Sequence, residues 1–206
     1  MSRHASQALQ KFNIITLGNS QVGKTTFIIR YTENTFKDVY LTTLGIDYKT
    51  KVIKLKNKKN YMINFFDTAG QEKYKSISIN IIKNANGIVL MYDITNKSSF
   101  DSISNWMENV IAIKGNNFPV ILVGNKTDLV DEREVSTEEG EQLAKKFGVK
   151  LFEISNKSGT NVEEAGLELV NQVVERNNNL IESENNNNAV KISKKHLKKR
   201  KKECKC

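Results

Sequence analysis

The amino-acid sequence predicts an α/β fold with a six-stranded, mostly parallel sheet, one antiparallel edge strand and helices on both faces. Two patterns lead to this prediction. From about residue 11 to residue 176, short apolar runs rich in Ile, Val and Phe alternate with longer amphipathic stretches, as expected for parallel strands joined by helices. At one place two apolar runs are separated by only a short polar loop, which leaves no room for a helix and indicates a hairpin.

Five apolar runs are expected as buried strands of the sheet. They are Phe12–Leu17, Met62–Phe66, Ile88–Tyr92, Val120–Gly124 and Lys150–Ile154. The stretches expected as helices are residues 23–31, 72–84, 98–114, 136–147 and 161–176. Two of these helices begin with capping signals: Ser136 precedes Glu139 in a capping box, and Ser98 or Ser99 is expected to cap the third helix.

The hairpin is expected from Lys49–Leu55 and Tyr61–Phe66, which are joined by the polar loop Lys56–Asn60. Six lysines fall between Lys49 and Lys59. We interpret them as charges that keep an exposed edge strand soluble. The alternative is a second membrane-binding patch.

The composition indicates a globular domain with a basic tail. Of the 206 residues, 38% are hydrophobic and 27% are charged, which is typical of globular proteins. The apolar runs are too short to span a bilayer, and the first residues lack the apolar region of a signal peptide. Of the net charge of +9, most lies in residues 190–206, which hold nine Lys or Arg and one acidic residue. Such a tail indicates an anionic partner surface, either membrane or nucleic acid.

These patterns divide the chain into three parts. Residues 1–10 are expected to be a flexible N-terminus, residues 11–176 a folded domain and residues 177–206 a disordered tail, because its Asn-rich and Lys-rich sequence buries too little apolar surface. The tail holds both cysteines of the chain, Cys204 and Cys206. Two cysteines so close together cannot close a structural loop, and with only His4 and His196 as further soft ligands a buried zinc site is excluded.

Residues 18–25, Gly-Asn-Ser-Gln-Val-Gly-Lys-Thr, match the phosphate-binding motif G-x-x-x-x-G-K-[ST] of P-loop NTPases. The motif follows a predicted strand and opens a predicted helix, so its backbone N–H groups can surround a phosphate. We expect Lys24 at the β- and γ-phosphates and the Thr25 hydroxyl on Mg²⁺. The alternative is a glycine turn before a basic helix. The residues predicted to bind phosphate here are Gly18, Asn19, Ser20, Gln21, Val22, Gly23, Lys24, Thr25 and Thr26.

Residues 124–128, Gly-Asn-Lys-Thr-Asp, follow another predicted strand and favour guanine over adenine. One carboxylate can accept both N1–H and the exocyclic amine of guanine, whereas with adenine Asp128 would stay unpaired, at a cost of a few kcal/mol. This segment resembles the N-K-x-D motif of the Ras superfamily. The resemblance covers about residues 11–176 and implies that this region is a GTP-binding domain. By that resemblance Asn125 braces the loops and the stem of Lys126 lies over the base.

Further motifs of the same family appear in the expected order. Residues 67–72, Asp-Thr-Ala-Gly-Gln-Glu, resemble its D-x-x-G-Q motif, which implies that Asp67 holds Mg²⁺ through water, that the Gly70 N–H contacts the γ-phosphate and that Gln71 orients the attacking water. The resemblance also implies that Thr43 ligates Mg²⁺. Residues implied to lie against guanine are Phe36, as the packing aromatic, and Ser155, Asn156 and Lys157, in place of the family's S-A-K.

The C-terminus is similar to that of Rab proteins. Glu203 stands where a C-a-a-X box would need Cys, and the ending Cys-Lys-Cys matches tails in which both cysteines, here Cys204 and Cys206, carry geranylgeranyl groups. Two lipids give stable anchoring where one gives marginal binding. The Rab resemblance further implies an effector surface at Tyr48, Phe66 and Ile81, which is less aromatic than in most Rab proteins.

The sequence therefore predicts a small GTPase that cycles between GDP-bound and GTP-bound states, hydrolyses GTP and regulates vesicular membrane traffic. Mg²⁺ is the expected cofactor. The expected partners are an exchange factor, a GTPase-activating protein, a dissociation inhibitor, effectors and, through the tail, the cytoplasmic face of intracellular membranes, with a cytosolic form when extracted. We expect a monomer that binds no nucleic acid. The alternatives are a guanine-nucleotide-binding membrane scaffold that does not hydrolyse GTP and, more remotely, a nucleic-acid binder that uses the basic tail.

Overall fold

A computed structural model describes residues 9–36, 46–68 and 75–203, with the backbone alone at residues 46–47, 68, 75–78 and 184–203. The described residues form six strands and six α-helices around one sheet. The strands are β1 (Gln10–Leu17), β2 (Ile46–Lys54), β3 (Asn60–Thr68), β4 (Gly87–Asp93), β5 (Val120–Asn125) and β6 (Lys150–Glu153).

The sheet has the order β2-β3-β1-β4-β5-β6. Strands β3, β1, β4, β5 and β6 run parallel to their neighbours, whereas β2 pairs antiparallel with β3 and lies at the edge. The predicted fold class and the predicted hairpin are thus confirmed. In the hairpin Tyr48 pairs with Phe66 and Lys54 with Asn60, so the polar loop is short enough to reverse the chain directly.

The helices are α1 (Lys24–Glu33), α2 (Lys75–Asn84), α3 (Lys97–Asp101), α4 (Ile103–Lys114), α5 (Thr137–Phe147) and α6 (Val162–Glu203), with a 3₁₀ turn at Val130–Glu132. The prediction of one helix over residues 98–114 was wrong, because the chain forms α3 and α4 with a break at Ser102. The Ser102 hydroxyl donates to the Ser98 carbonyl at 2.9 Å, and serines that bond back to the preceding turn compete with regular helix.

The two predicted helix caps have opposite outcomes. Ser136 and Glu139 form the expected capping box, in which the Ser136 hydroxyl accepts from the Glu139 N–H and the Glu139 carboxylate accepts from the Ser136 N–H. At α3 the prediction of Ser98 or Ser99 was wrong. The cap is Asn96, whose side chain accepts from the Ser99 N–H at 3.0 Å, because an Asn before the helix reaches the free N–H groups of the first turn as well as a Ser does.

Alternate residues along the strands send their side chains to two cores, one on each face of the sheet. In β4, Val89 and Met91 join the core under α1 and α6, whereas Ile88, Leu90 and Tyr92 join the core under α2, α4 and α5. Both cores are needed because a parallel sheet has no solvated face. The helices on either face also carry the loops at the strand ends to fixed positions, and the candidate site lies there.

The lysines of the hairpin support the interpretation of a charged edge. Lys49 pairs with Glu33 at 2.7 Å, and Lys51 pairs with Glu163 at 3.0 Å. The lysines nearer the turn are exposed: they are Lys54, Lys56, Lys58 and Lys59. Because two of the six side chains are held by acidic partners, the face offers less free positive charge than the sequence alone indicates.

The last helix differs from the sequence expectation in where it ends. We expected helix only to Arg176, but α6 continues to Glu203. Residues 177–203 contain neither Gly nor Pro, so nothing in the sequence stops helical hydrogen bonding. Among the side chains of α6 that the structure describes, which run to Ser183, the last buried one is Val174. Within the described residues no helix is both long and apolar enough to cross a membrane.

Candidate functional site

Four of the predicted motifs meet at the carboxyl ends of neighbouring strands. Residues 18–25, hereafter the phosphate loop, follow β1, and Asp67 lies near the end of β3. Asn125 ends β5, and residues 155–157, hereafter the base loop, follow β6. Ligands of open α/β sheets bind in this position. Parallel pairing thus brings together segments that are more than 130 residues apart.

The phosphate loop requires glycine at both glycine positions of the G-x-x-x-x-G-K-[ST] motif. Gly18 has φ +142°, and a Cβ there would lie 2.1 Å from the Met91 carbonyl oxygen of β4. Gly23 has φ +101°, and a Cβ there would lie 2.2 Å from Asn125 Nδ2. No side chain fits at such distances, so the loop can approach β4 and Asn125 only with glycine at these positions.

Side chains of the phosphate loop hold its curved backbone. Lys24 is buried, and its Nζ donates to the carbonyls of Gly18 at 2.8 Å and Asn19 at 2.6 Å. These bonds place the ammonium group across the concave side of the loop, where phosphate oxygens are expected. Gln21 has a left-handed φ of +66°, a conformation that favours glycine. Ser20 is exposed, and Val22 is buried against the core under α1.

The second loop residue, Asn19, is held by α4. Its Nδ2 donates to the Ser102 hydroxyl at 3.0 Å, and its Oδ1 accepts from the Trp106 indole N–H at 3.2 Å. Trp106 packs against the core under α2, α4 and α5. It is a half-buried residue that positions the phosphate loop, a contact between residues 87 apart that no local pattern indicates.

Thr25 and Asp67 form the pair of oxygen ligands that a magnesium site needs. The Thr25 hydroxyl donates to Asp67 Oδ2 at 2.6 Å, and Asp67 is only 4% exposed. Hydroxyl and carboxylate oxygens are the ligand types that Mg²⁺ prefers, together with phosphate oxygens and water. The residues present therefore fit this ion.

The guanine-side residues form a hydrogen-bonded unit next to the phosphate loop. Asn125 Nδ2 donates to the Val22 carbonyl at 2.8 Å, which joins β5 to the phosphate loop. The Ser155 hydroxyl donates to Asp128 Oδ1 at 2.6 Å and accepts from the Ser158 N–H at 3.1 Å. Because Ser155 fixes one carboxylate oxygen, the orientation of the Asp128 carboxylate is set before any base arrives.

Lys126 has an ion partner that the sequence analysis missed. Its Nζ lies 2.5 Å from Asp93 Oδ2, and Asp93 is the last residue of β4. The other oxygen of Asp93 accepts from the N–H and hydroxyl of Thr95. Lys126 also has φ +73°. An acidic residue at a strand end was the available signal for this contact.

Phe36 lies on the guanine side, half-buried beside Arg30, whose guanidinium carbon is 5.9 Å from the ring centroid. The same guanidinium group donates to the carbonyls of Asn156 and Lys157. Arg30 therefore links Phe36 to the base loop. Arg30 was not among the predicted site residues, although its place in α1, five residues after the phosphate loop, was a signal that could have drawn attention to it.

Comparisons with known proteins show the family to which the chain belongs. A sequence profile of the Ras family matches residues 13–175. The chain is 39% identical to "Ras-related protein Rab-3C" of Bos taurus over 173 residues, which cover 84% of this chain and 76% of that protein. It is 40% identical to "Ras-related protein Rab-8B" of Pongo abelii over 191 residues, covering 91% and 92%. The chain belongs to the Ras family.

Within that family it is a Rab-type small GTPase, which binds guanine nucleotide, hydrolyses GTP and regulates vesicular traffic with the help of regulators and effectors. Its fold is the P-loop GTPase fold of the family. These findings favour the hydrolytic function over the scaffold that binds GTP without turnover.

Several predicted site residues of the GTPase lie outside the described residues. They are Thr43, Gly70, Gln71, Cys204 and Cys206. Of the predicted effector surface, the described side chains are Tyr48, Phe66 and Ile81. Tyr48 is 61% exposed with its ring centroid 5.8 Å from that of Phe66, whereas Phe66 and Ile81 are half-buried against the core under α2.

Proposed function

We propose that this Rab-type GTPase binds GTP or GDP with the phosphates in the phosphate loop and the base between Asp128, the base loop and Phe36. The observation that carries the proposal is the 2.6 Å bond from the Ser155 hydroxyl to Asp128. This bond restrains the carboxylate, while Oδ2 and the remaining lone pair of Oδ1 can still accept donors of a base. Guanine presents two donors that such a carboxylate accepts, and adenine does not.

In this proposal different residues bind the phosphates, hold the metal ion and orient the attacking water. Lys24 and the loop N–H groups bind the phosphates. Thr25 and Thr43 would hold Mg²⁺ directly, and Asp67 would hold it through water. The ion would neutralise charge that develops on the phosphate oxygens. Gln71, with its role inferred from the D-x-x-G-Q motif, orients the attacking water, and the Gly70 N–H contacts the γ-phosphate.

The experiment that tests this mechanism is single-turnover hydrolysis of GTP bound to the Gln71→Leu variant. The leucine cannot hydrogen-bond water, so we expect GTP binding to persist while hydrolysis stimulated by an activating protein falls by about 100-fold or more. Gln142→Leu, the same change at an exposed position of α5, is the matched control and should hydrolyse GTP as wild type does. Wild-type rates in Gln71→Leu would remove Gln71 from the mechanism.

We further propose that residues 177–206 serve as a membrane tail and that Cys204 and Cys206 carry geranylgeranyl groups. The basic residues of 190–206 would add about 1 kcal/mol each against anionic lipid, and two lipids would make the attachment stable. Replacing both cysteines by serine should move a tagged protein from membranes to cytosol, whereas loss of one should leave partial attachment. Membrane retention without either cysteine would contradict the lipid anchor.

Regulation would follow the pattern of the family: an exchange factor, an activating protein, a dissociation inhibitor and effectors would act on the monomer. We propose that effectors contact the surface of Tyr48, Phe66 and Ile81. The exposed ring of Tyr48 supports this, because aromatic side chains are enriched at protein interfaces. Since Ile81 and Phe66 are largely covered, Tyr48→Ala should weaken effector binding more than either of their alanine variants.

A further inference from the structure

Asn156 stands where the S-A-K motif has alanine, and its side chain donates hydrogen bonds that alanine cannot make. Nδ2 donates to the Gly23 carbonyl at 2.9 Å and to the Thr26 hydroxyl at 2.9 Å. The residue is 3% exposed. The bonds therefore run through the protein interior, from the base loop to the point where the phosphate loop becomes α1.

The amide of Asn156 lies next to that of Asn125. A Cβ on Gly23 would lie 2.2 Å from Asn125 Nδ2 and 2.9 Å from Asn156 Nδ2. Both amides therefore lie directly against the same glycine. The Asn156 N–H also donates to Asn125 Oδ1 at 3.2 Å. The phosphate loop is thus held by two adjacent amides, one from β5 and one from the base loop.

The backbone of the base loop is held by the same face of α1. Arg30 Nε donates to the Asn156 carbonyl at 2.8 Å, and Nη2 donates to the Lys157 carbonyl at 2.5 Å. Gly23, Thr26 and Arg30 are spaced three and four residues apart, which places them in one row along the helix. The base loop therefore cannot move away from α1 without breaking bonds at both ends of this row.

We propose that Asn156 is a positioning residue that ties the base loop to the phosphate loop and thereby slows release of bound nucleotide. This inference rests on the proposed nucleotide site. A guanine nucleotide spans both loops, so it leaves when either loop separates from it. Separation of one loop from the other is costly, because the buried Asn156 amide would lose both of its acceptors, the Gly23 carbonyl and the Thr26 hydroxyl.

The test compares wild type with Asn156→Ala, Asn156→Leu and Asn13→Ala. Alanine restores the residue of the S-A-K motif, and leucine fills nearly the same space without a donor. Asn13 is the matched control because its amide also joins separate elements, through Asn64 and Asn84, but it lies within β1, five residues before the phosphate loop begins. The rate of release of a fluorescent GDP derivative is measured after addition of excess unlabelled GDP, and the association rate is measured separately.

We expect GDP release to be about tenfold faster in both Asn156 variants, from the loss of two buried hydrogen bonds, and unchanged in Asn13→Ala. The association rate should stay within about twofold, since the variant loops still meet the same phosphates. IDP, which lacks the exocyclic amine, should be released faster by the same factor as GDP, because the Asn156 side chain acts through the loops and not on the base.

The proposal would be overturned if Asn156→Ala released GDP at the wild-type rate, or if Asn13→Ala accelerated release as much as the Asn156 variants do. It would also be overturned if Asn156→Ala released GDP fast but Asn156→Leu released it slowly, since the effect would then come from packing. A change in the ratio of GDP to IDP release would also overturn it, since the side chain would then contact the base. Failure of the proposed site itself is recognised separately, because wild type would then take up no GDP derivative at all.

Discussion

On the phosphate side of the site the groups expected to face a nucleotide come from one continuous loop, whereas on the guanine side they come from side chains of segments far apart in the chain. Lys24 bonds to carbonyls of its own loop, five and six residues away. Asn125, Asp128, Ser155 and Asn156 bond across 27 to 133 residues. The groups expected to face phosphate are therefore supplied by local sequence. The guanine side, and the bonds from Asn125 and Asn156 that hold the phosphate loop in place, exist only once the sheet has formed.

This difference has a functional consequence. The phosphate loop offers backbone N–H groups and one ammonium group, which bind any nucleoside phosphate. The guanine side offers a carboxylate of fixed orientation, which distinguishes one base from another. Affinity should thus depend mainly on the phosphate side and selectivity on the guanine side. Two substitutions test this division, and a third tests the backbone of the phosphate loop.

The largest effect is expected from Lys24→Ala. Because the ammonium group makes charge-assisted bonds to phosphate, its loss should weaken GDP and IDP binding by about 100-fold and by the same factor for both. Lys145→Ala, at an exposed lysine of α5, is the control. The affinities of both variants for GDP and IDP are measured by titration with a fluorescent nucleotide. A loss of affinity confined to GDP would mean that Lys24 contributes to base selection.

A different pattern is expected from Asp128→Asn. An amide accepts one donor of guanine and presents its own donor to the other, so GDP binding should fall by about 30-fold while XDP, which carries a carbonyl in place of the exocyclic amine, should gain affinity. Asp131→Asn, in the exposed 3₁₀ turn, should leave both affinities as in wild type. Equal weakening of GDP and XDP would show that Asp128 does not select the base.

The smallest effect is expected from Gln21→Gly, on the phosphate side. Gln21 has φ +66°, so glycine relieves backbone strain but adds entropy to the unfolded chain, and the free energy of unfolding should rise by about 0.5 kcal/mol. The control is the same change in the middle of α5. Gln142→Gly should lower the free energy of unfolding by about 1 kcal/mol. Urea denaturation at one fixed GDP concentration measures both, and destabilisation by Gln21→Gly would contradict the strain argument.

The same contrast explains which features could be predicted from the sequence. The phosphate loop and the N-K-x-D segment are contiguous motifs that directly follow apolar runs, so their place at strand ends was predictable. The alternation of those runs also predicted the sheet and its antiparallel edge. The ion pair of Lys126 with Asp93 and the bonds of Asn156 to α1 depend on which strands become neighbours, and no short pattern contains that information.

Local competition between similar residues accounts for the errors. Residues 96–99, Asn-Lys-Ser-Ser, offer three capping side chains in four positions, and the sequence alone did not rank Asn96 above the two serines. Ser102 lies inside a stretch with helical periodicity, so the break between α3 and α4 was missed. The extent of α6 was missed because composition reports how little the segment buries, while the absence of Gly and Pro decides whether a helix stops.

The most direct test of the account is the affinity of the purified wild-type chain for GDP and for ADP, measured with Mg²⁺ by displacement of one fluorescent nucleotide. If Asp128 and the base loop select guanine beside a general phosphate site, GDP should displace the probe at concentrations at least about 1,000-fold lower than ADP. Equal displacement by the two nucleotides, or no binding of either, would contradict the account.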